Sequence, residues 1–444
     1  MLVIVSNVLM RNKLGPALQT NHLLYAYIIL IAFASAAIPL GSIYVKFDWL
    51  GAILIIVLGT VLMLKGHYLN KVVLLYVVAC VLWLVLNSLI ALHEAQDHYN
   101  AYGFLSYFLQ TILAIMVFLM ISNMFLRTAI VYKLMKVWVM VGCAASILAL
   151  IQVLVGEIIV DKFLYIPYYN EATISKKVVA GVLAPTAWFS EASWLGSFLV
   201  VPTIFMIYEV ISNRKLLKAQ IFNCVAALTL ATGLFLTYSL TAILSVFIGI
   251  FAIIMLSPRS RIQILLLILL GIALILAFSD SERVVLQISR FVELFKNVTD
   301  FSPGSQLYGT TTSFYVRSVG IYEGLLLFLE NPFSGIGIGQ GERPFHSGFI
   351  TLLAEQGIIG TTLYFVPLML IIYRLNQVRR NGAREIRHLA TFFIIALVAD
   401  YSNGLVTHNS FQLQRWLLIS VAFGWVYSLH RGRLYAAWST NKAM

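Results

Sequence analysis

Charge is scarce in this chain. Only 11% of its 444 residues are Asp, Glu, Lys or Arg, whereas a soluble protein carries roughly 25%, so an ordinary soluble fold is excluded. Cysteine is nearly missing as well. Cys80, Cys143 and Cys224 all fall inside apolar runs, which excludes a disulfide framework or a cysteine-based metal cluster. No internal repeat is visible, and no polar segment on the basic-rich side is long enough for a nucleotide-binding domain, so neither ATP nor a nucleotide sugar is expected as a direct substrate. No cleavable leader is expected before the first apolar run, and residues 1–21 are read as a tail.

What the chain has instead is hydrophobicity, at 61% of residues. Apolar runs of about 20 residues, the length that crosses a hydrocarbon core, fall near 22–44, 49–64, 72–92, 104–126, 134–158 and 192–211. Six more fall near 220–236, 240–256, 262–278, 348–373, 389–405 and 411–429. The expected fold is an all-α polytopic integral membrane protein with about 12 transmembrane helices and a large outer loop that itself contains helices. In this reading residues 1–278 hold helices one to nine with an outer loop near 161–190. Residues 279–345 form the large loop, and residues 346–444 hold the last three spans and a tail.

Basic residues beside spans stay on the cytoplasmic side. With both termini inside, most of the 30 Lys and Arg fall in inner loops, among them Arg127, Arg214, Arg259, Arg374 and Arg387. The run 220–256 is unbroken in hydropathy, but basic clusters flank it on both sides. It must therefore cross twice, and the split is placed at Thr237-Tyr238-Ser239. The net charge of +12 sits in these short loops, where it sets topology and attracts anionic headgroups. The bilayer is thus the expected partner, and nucleic acid is not.

Two outer loops are long enough for chemistry. The first holds Tyr165, Tyr168 and Tyr169 and ends in Trp188-Phe189-Ser190-Glu191-Ala192-Ser193; its aromatics suit sugar faces but also the belt that any membrane interface collects. In the second, residues 282–297 place Val284, Ile288, Phe291 and Phe295 on one helical face, a pattern for a helix lying in the headgroup plane. A second loop helix is expected over 314–329, followed by a tight turn around Pro332 and four glycines. His93, Glu94, Asp97 and His98 match no familiar metal spacing, and no metal site is read there.

The order of motifs resembles the O-antigen polymerase and O-antigen ligase superfamily. Phe189-Ser190-Glu191-Ala192-Ser193 and then Tyr238-Ser239-Leu240-Thr241 resemble its first half; Tyr315-Val316-Arg317, Asn331-Pro332 before Gly335-Ile336-Gly337, and His346 followed by Glu355-Gln356-Gly357-Ile358-Ile359-Gly360 resemble its second. The resemblance implies a metal-independent, cofactor-free glycosyltransferase of the bacterial inner membrane, with both termini cytoplasmic and its active site at the periplasmic face. It further implies a substrate of undecaprenyl-diphosphate-linked oligosaccharide and, for polymerases, a chain-length regulator as partner. Two positions depart from the family: Leu240 stands where ligases and many polymerases have Arg, and Ser347 where many relatives have Asn. Leu240 turns the expectation toward a polymerase of O-antigen, capsule or exopolysaccharide units. Ligation onto lipid A-core is the alternative, and a lipid-linked oligosaccharide flippase the alternative of another class.

Transfer from a lipid diphosphate needs cations where the leaving group gathers charge, and the planar fork of arginine suits diphosphate oxygens. Arg317 is the expected catalytic clamp. Arg343, Arg290, Arg283 and Arg415 are further candidate substrate contacts, with His408 and Tyr238 beside them. Arg415, alone in the last span, either binds the diphosphate or satisfies Asp400. His346 is the expected base. Glu191 is a second acid or base, an arginine partner, or a charge at the positive end of the following helix. Glu355 is expected to make a structural hydrogen bond within the bundle.

Overall fold

The computed structural model describes residues 16–32, 37–40, 43–64, 70–94, 101–155, 178–179, 182–183, 186–187, 189, 192–214, 216–217, 219–256, 312–339, 347–406 and 413–442. Among these the chain runs α1 (Pro16–Ala32), β1 (Ala37–Leu40), β2 (Ile43–Lys46), α2 (Phe47–Leu64), α3 (Lys71–Glu94), α4 (Ala101–Ser122) and α5 (Thr128–Val155). It continues with β3 (Val178–Val179), β4 (Val182–Leu183), α6 (Ala192–Ile211), α7 (Gln220–Leu236), α8 (Leu240–Leu256), α9 (Thr312–Glu330), α10 (Gly348–Asn381), α11 (Arg384–Val406) and α12 (Leu413–Lys442). Helices α3, α5, α6, α10 and α11 are long and apolar enough to cross a bilayer, and shorter apolar stretches lie in α1, α2, α4, α7 and α8. A polytopic membrane bundle is the result, because only a helix pairs its own backbone groups where no water reaches.

The run 220–256 does divide where its polar residues fall. α7 ends at Leu236 and α8 starts at Leu240, and the corner is stabilised by its own hydroxyls: Thr237 Oγ1 donates to Leu234 O at 2.7 Å and Ser239 Oγ accepts from Ala242 N at 3.4 Å. The second loop helix is present as α9. The all-helical class stands, with two short strand pairs added to it, but the first expected span needs correction. Instead of one helix over 22–44, α1 stops at Ala32 and an antiparallel pair follows, with Ala37 opposite Lys46 and Leu40 opposite Ile43. Pro39 cannot donate to a helical ladder, and Gly-Ser between the strands is turn composition. A second small pair sets Val178 opposite Leu183. The span expected at 262–278 and the helix expected at 282–297 lie outside the described residues.

Burial ranks the helices. In α6 and α11, 83% of the apolar window is inside the bundle, against 33% in α3 and 39% in α5 and α10, so α6 and α11 are the central pair. Phe205 of α6 meets Phe392 of α11 with ring centroids 4.5 Å apart, and Trp138 of α5 leans on Phe198. Leu75, Leu82 and Leu89 on α3 and Ile221, Val225 and Leu228 on α7 face outward, as lipid-facing surfaces should.

The bundle has two chemically distinct ends. At one, Glu209 near the end of α6 bonds His388 near the start of α11 at 2.7 Å, with Tyr208 stacked on the imidazole. Arg214 donates to Tyr132 there, and Arg374, Arg379, Arg380 and Arg387 lie on adjoining helix ends. The other end collects the segments that carry the motifs.

Candidate functional site

At that second end α10 is not continuous. Gly357 has φ 61° and ψ −168°, a conformation essentially confined to glycine, and the break interrupts two helical hydrogen bonds. The four backbone groups so released all find partners in the turn after α9. Ile336 N donates to Ala354 O at 2.9 Å and Gly337 N to Glu355 O at 3.0 Å; Ile358 N donates to Pro332 O at 2.9 Å and Ile359 N to Phe333 O at 3.5 Å. Unpaired, each group would cost several kcal/mol in a water-free bundle. The substitution of four intersegment bonds for two internal ones makes the turn an integral part of the helix.

Side-chain-free backbone is what lets the two strands of chain meet. A Cβ on Gly335, itself at φ 68°, would strike the backbone of Ala354 and Glu355, and a Cβ on Gly357 would strike the Phe333 carbonyl. Glu355 is itself buried at this joint. Asn87 of α3 closes the joint, its Nδ2 donating to Ser334 O at 2.8 Å and to Glu355 O at 3.0 Å.

The start of α10 is held separately. Ser347 caps it by accepting from Ile350 N at 3.4 Å and donates to Leu405 O at the end of α11, 2.6 Å away. Ser is among the residues preferred at an N-cap, because its hydroxyl accepts from an otherwise orphaned backbone N–H.

Beneath this lies a buried charged group. Arg415, 1% exposed, donates from Nε to Asp400 Oδ2 at 3.1 Å and from Nη2 to Asp400 O at 3.4 Å; its guanidinium stands 5.6 Å from the centre of the Tyr401 ring, and Nη1 reaches Tyr364 Oη at 3.5 Å. A Cβ on Gly404 would overlap the guanidinium, so the absence of a side chain there makes its room. One turn on, Asn403 Oδ1 accepts from Ser197 Oγ of α6 at 3.2 Å. Tyr238, at φ 51°, is buried against Ala192 at the first residue of α6.

Gln152, near the end of α5, secures the approach to α6. Its Oε1 accepts from Thr186 N at 3.1 Å and Ala187 N at 2.7 Å, and its Nε2 donates to Ala187 O at 3.1 Å. Gln152→Leu removes all three and leaves buried amide groups unpaired, an expected loss of about 2 kcal/mol or more. The check is a lower unfolding temperature in detergent, with faster proteolysis between α5 and α6 than elsewhere.

Of the candidate catalytic and substrate-binding residues named from the sequence, Arg415 and Tyr238 are seen in full. Arg317 lies on α9, where only its backbone is described. Glu191, His346, Arg343, Arg290, Arg283 and His408 lie outside the described residues. The helix ends to which positions 191, 346 and 408 are joined, namely the starts of α6 and α10 and the end of α11, are tied together by the Ser197–Asn403 and Ser347–Leu405 bonds. Asn87, Gln152 and Asn403 escaped the sequence reading. Each is a lone amide in an apolar helix, and that oddity is the signal that marks them.

Residues 225–365 match the family model described as O-antigen ligase. The match spans α8, α9, the joint and the break in α10, and is consistent with the O-antigen ligase and polymerase superfamily. It supports ligase- or polymerase-type glycosyl transfer at a membrane in general, without separating the two. Among curated proteins, none matches the chain.

Proposed function

We propose that this protein polymerises undecaprenyl-diphosphate-linked oligosaccharide repeat units at the outer face of the bacterial inner membrane. The observation that carries the reading is the joint at Gly357, which binds the turn following the Arg317 helix into the helix that His346 precedes. Two elements locked to each other, one carrying position 317 and the other following position 346 in the chain, suit a reaction that must hold a diphosphate and an attacking hydroxyl in register. The basic residues at the opposite end of the bundle support an outward-facing site, since they mark a cytoplasmic side.

In the proposed reaction an acceptor sugar hydroxyl attacks the anomeric carbon of the donor. The new C–O bond forms as the bond to the diphosphate oxygen breaks, and undecaprenyl diphosphate leaves with the electron pair. His346 takes the hydroxyl proton, Arg317 and Arg343 balance the charge on the leaving group, and the anomeric carbon inverts. Arg415 already holds Asp400, so in this reading it organises the helices below the site. Arg283 and Arg290 hold headgroup or diphosphate oxygens at the loop, Glu191 orients an arginine, and His408 and Tyr238 border the acceptor. A chain-length regulator is the proposed protein partner.

Purified protein incubated with the lipid-linked repeat unit of its host should yield a ladder of lipid-linked oligomers without nucleotide. Arg317→Ala is expected to slow it roughly 100-fold or more, and His346→Ala by a similar factor. A full ladder from either variant would remove that residue from the mechanism. The family description favours one second reading: transfer onto added lipid A-core with no ladder would identify a ligase.

A further inference from the structure

Asn87 is 1% exposed and belongs to none of the motifs considered above. Both acceptors of its Nδ2 are backbone carbonyls, Ser334 O on the turn and Glu355 O on the helix, so the orientation of the amide is forced. The second of these carbonyls also accepts from Gly337 N. Asn87 therefore bridges the two chain segments at the point where they are already bonded to each other, and does so from a third helix. Its neighbours on the same face of α3 cover the rest of the joint. Trp83, one turn before, packs against Gly360, and Ala91, one turn after, packs against Gly337 so closely that the glycine could not carry a Cβ. This stripe spans about 12 Å of helix and lies along the joint from one side.

Resting on the glycosyl-transfer reading, we propose that Asn87 is a positioning residue of the transfer site. By holding the turn in the α10 break it fixes α9, which carries Arg317, relative to the capped start of α10, to which His346 is joined. The residue touches no reacting atom in this scheme. Its effect passes through the joint, and turnover should suffer while affinity for the donor does not.

The test compares Asn87→Leu with the unchanged protein in lipid nanodiscs, by hydrogen exchange and by transfer kinetics on lipid-linked repeat units. Two donated bonds are lost, so the amides of Ile336, Gly337, Ile358 and Ile359 should exchange about 10-fold faster or more, while those of α6 and α11 stay unchanged. The maximal transfer rate should fall by about the same factor or more, with donor dissociation constant within about twofold of the original. Unchanged exchange at those four amides overturns the clamp; faster exchange with an unchanged transfer rate overturns the positioning role. A uniform rise in exchange across α6 and α11 with normal turnover per folded molecule would make Asn87 a stability residue only, and would overturn it too. Should Asn87→Leu fail to fold, Asn87→Ser keeps one donor on a shorter arm. It is expected to fall between the two in both readouts, and equality with the unchanged protein rejects the proposal. If the unchanged protein transfers no glycan, the polymerase reading fails by itself, while the exchange data still decide whether Asn87 holds the joint.

Discussion

Asp400→Ala is expected to damage the protein far more than the double change Asp400→Leu with Arg415→Met. The guanidinium of Arg415 is enclosed by α10, α11 and α12, and Asp400 supplies both a carboxylate oxygen and a carbonyl to it. Removing the carboxylate alone leaves a buried cation without its counter-charge, at an expected cost of about 3–5 kcal/mol. Replacing both members by apolar side chains of similar size removes the desolvation penalty together with the attraction, and such exchanges are commonly neutral or stabilising by about 1–4 kcal/mol. Thermal unfolding of Asp400→Ala and of the double variant in one detergent provides the check, and Asp400→Leu and Arg415→Met measured singly complete a double-mutant cycle. Equal losses in Asp400→Ala and the double variant would show that the pair does not act as a unit. The double variant also separates the two roles open to Arg415. A folded, polymerising protein would confine it to structure, whereas a folded protein that no longer binds the donor would return it to the diphosphate.

Gly357→Ala should be among the most destructive single-methyl changes at the described glycines. At φ 61° and ψ −168° an alanine is strained by roughly 1–3 kcal/mol before any contact is counted. The new carbon also meets the Phe333 carbonyl, a backbone group that cannot rotate away. Relieving that collision means withdrawing the turn, which would expose the four backbone groups now paired across the joint. A total loss of more than about 4 kcal/mol is expected, seen as little folded protein in a monodisperse detergent peak. Gly335→Ala, at φ 68° and against the backbone of Ala354 and Glu355, should behave alike. Gly142→Ala is the comparison: its one close contact is with the far end of the Leu230 side chain, which can shift, so folded protein should be recovered. Comparable yields from Gly357→Ala and Gly142→Ala would deny the joint its structural importance.

Much of this architecture was legible in the residues. The corner between α7 and α8 announces itself as Thr237-Tyr238-Ser239 within an apolar run, and α9 as a short patterned segment ahead of Asn331-Pro332. The break inside α10 does not announce itself. Gly357-Ile358-Ile359-Gly360 reads like the interior of any membrane helix, where glycine is common. What makes Gly357 special is the turn lodged against it, and the closure by Asn87, 268 positions away from Glu355. The first expected span failed for the opposite reason: hydropathy over 22–44 is continuous, but Pro39 and Gly41-Ser42 favour a hairpin that an averaged hydropathy cannot register.

For the candidate site the division is similar. Arg317, His346 and Glu191 stand out by chemical type and by order along the chain. That Arg415 is engaged by Asp400, that Ser347 caps α10 and reaches α11, and that Gln152 holds the segment before α6 depend on which helices come to lie side by side.

Composition was enough to require a helical membrane protein, because in hydrocarbon each backbone group must be paired and a helix achieves that within a single segment. Where that rule is broken, at Gly357, pairing had to come from elsewhere in the chain. No local pattern specifies such a partner, so packing alone chose the turn at Pro332–Gly337 and placed it there.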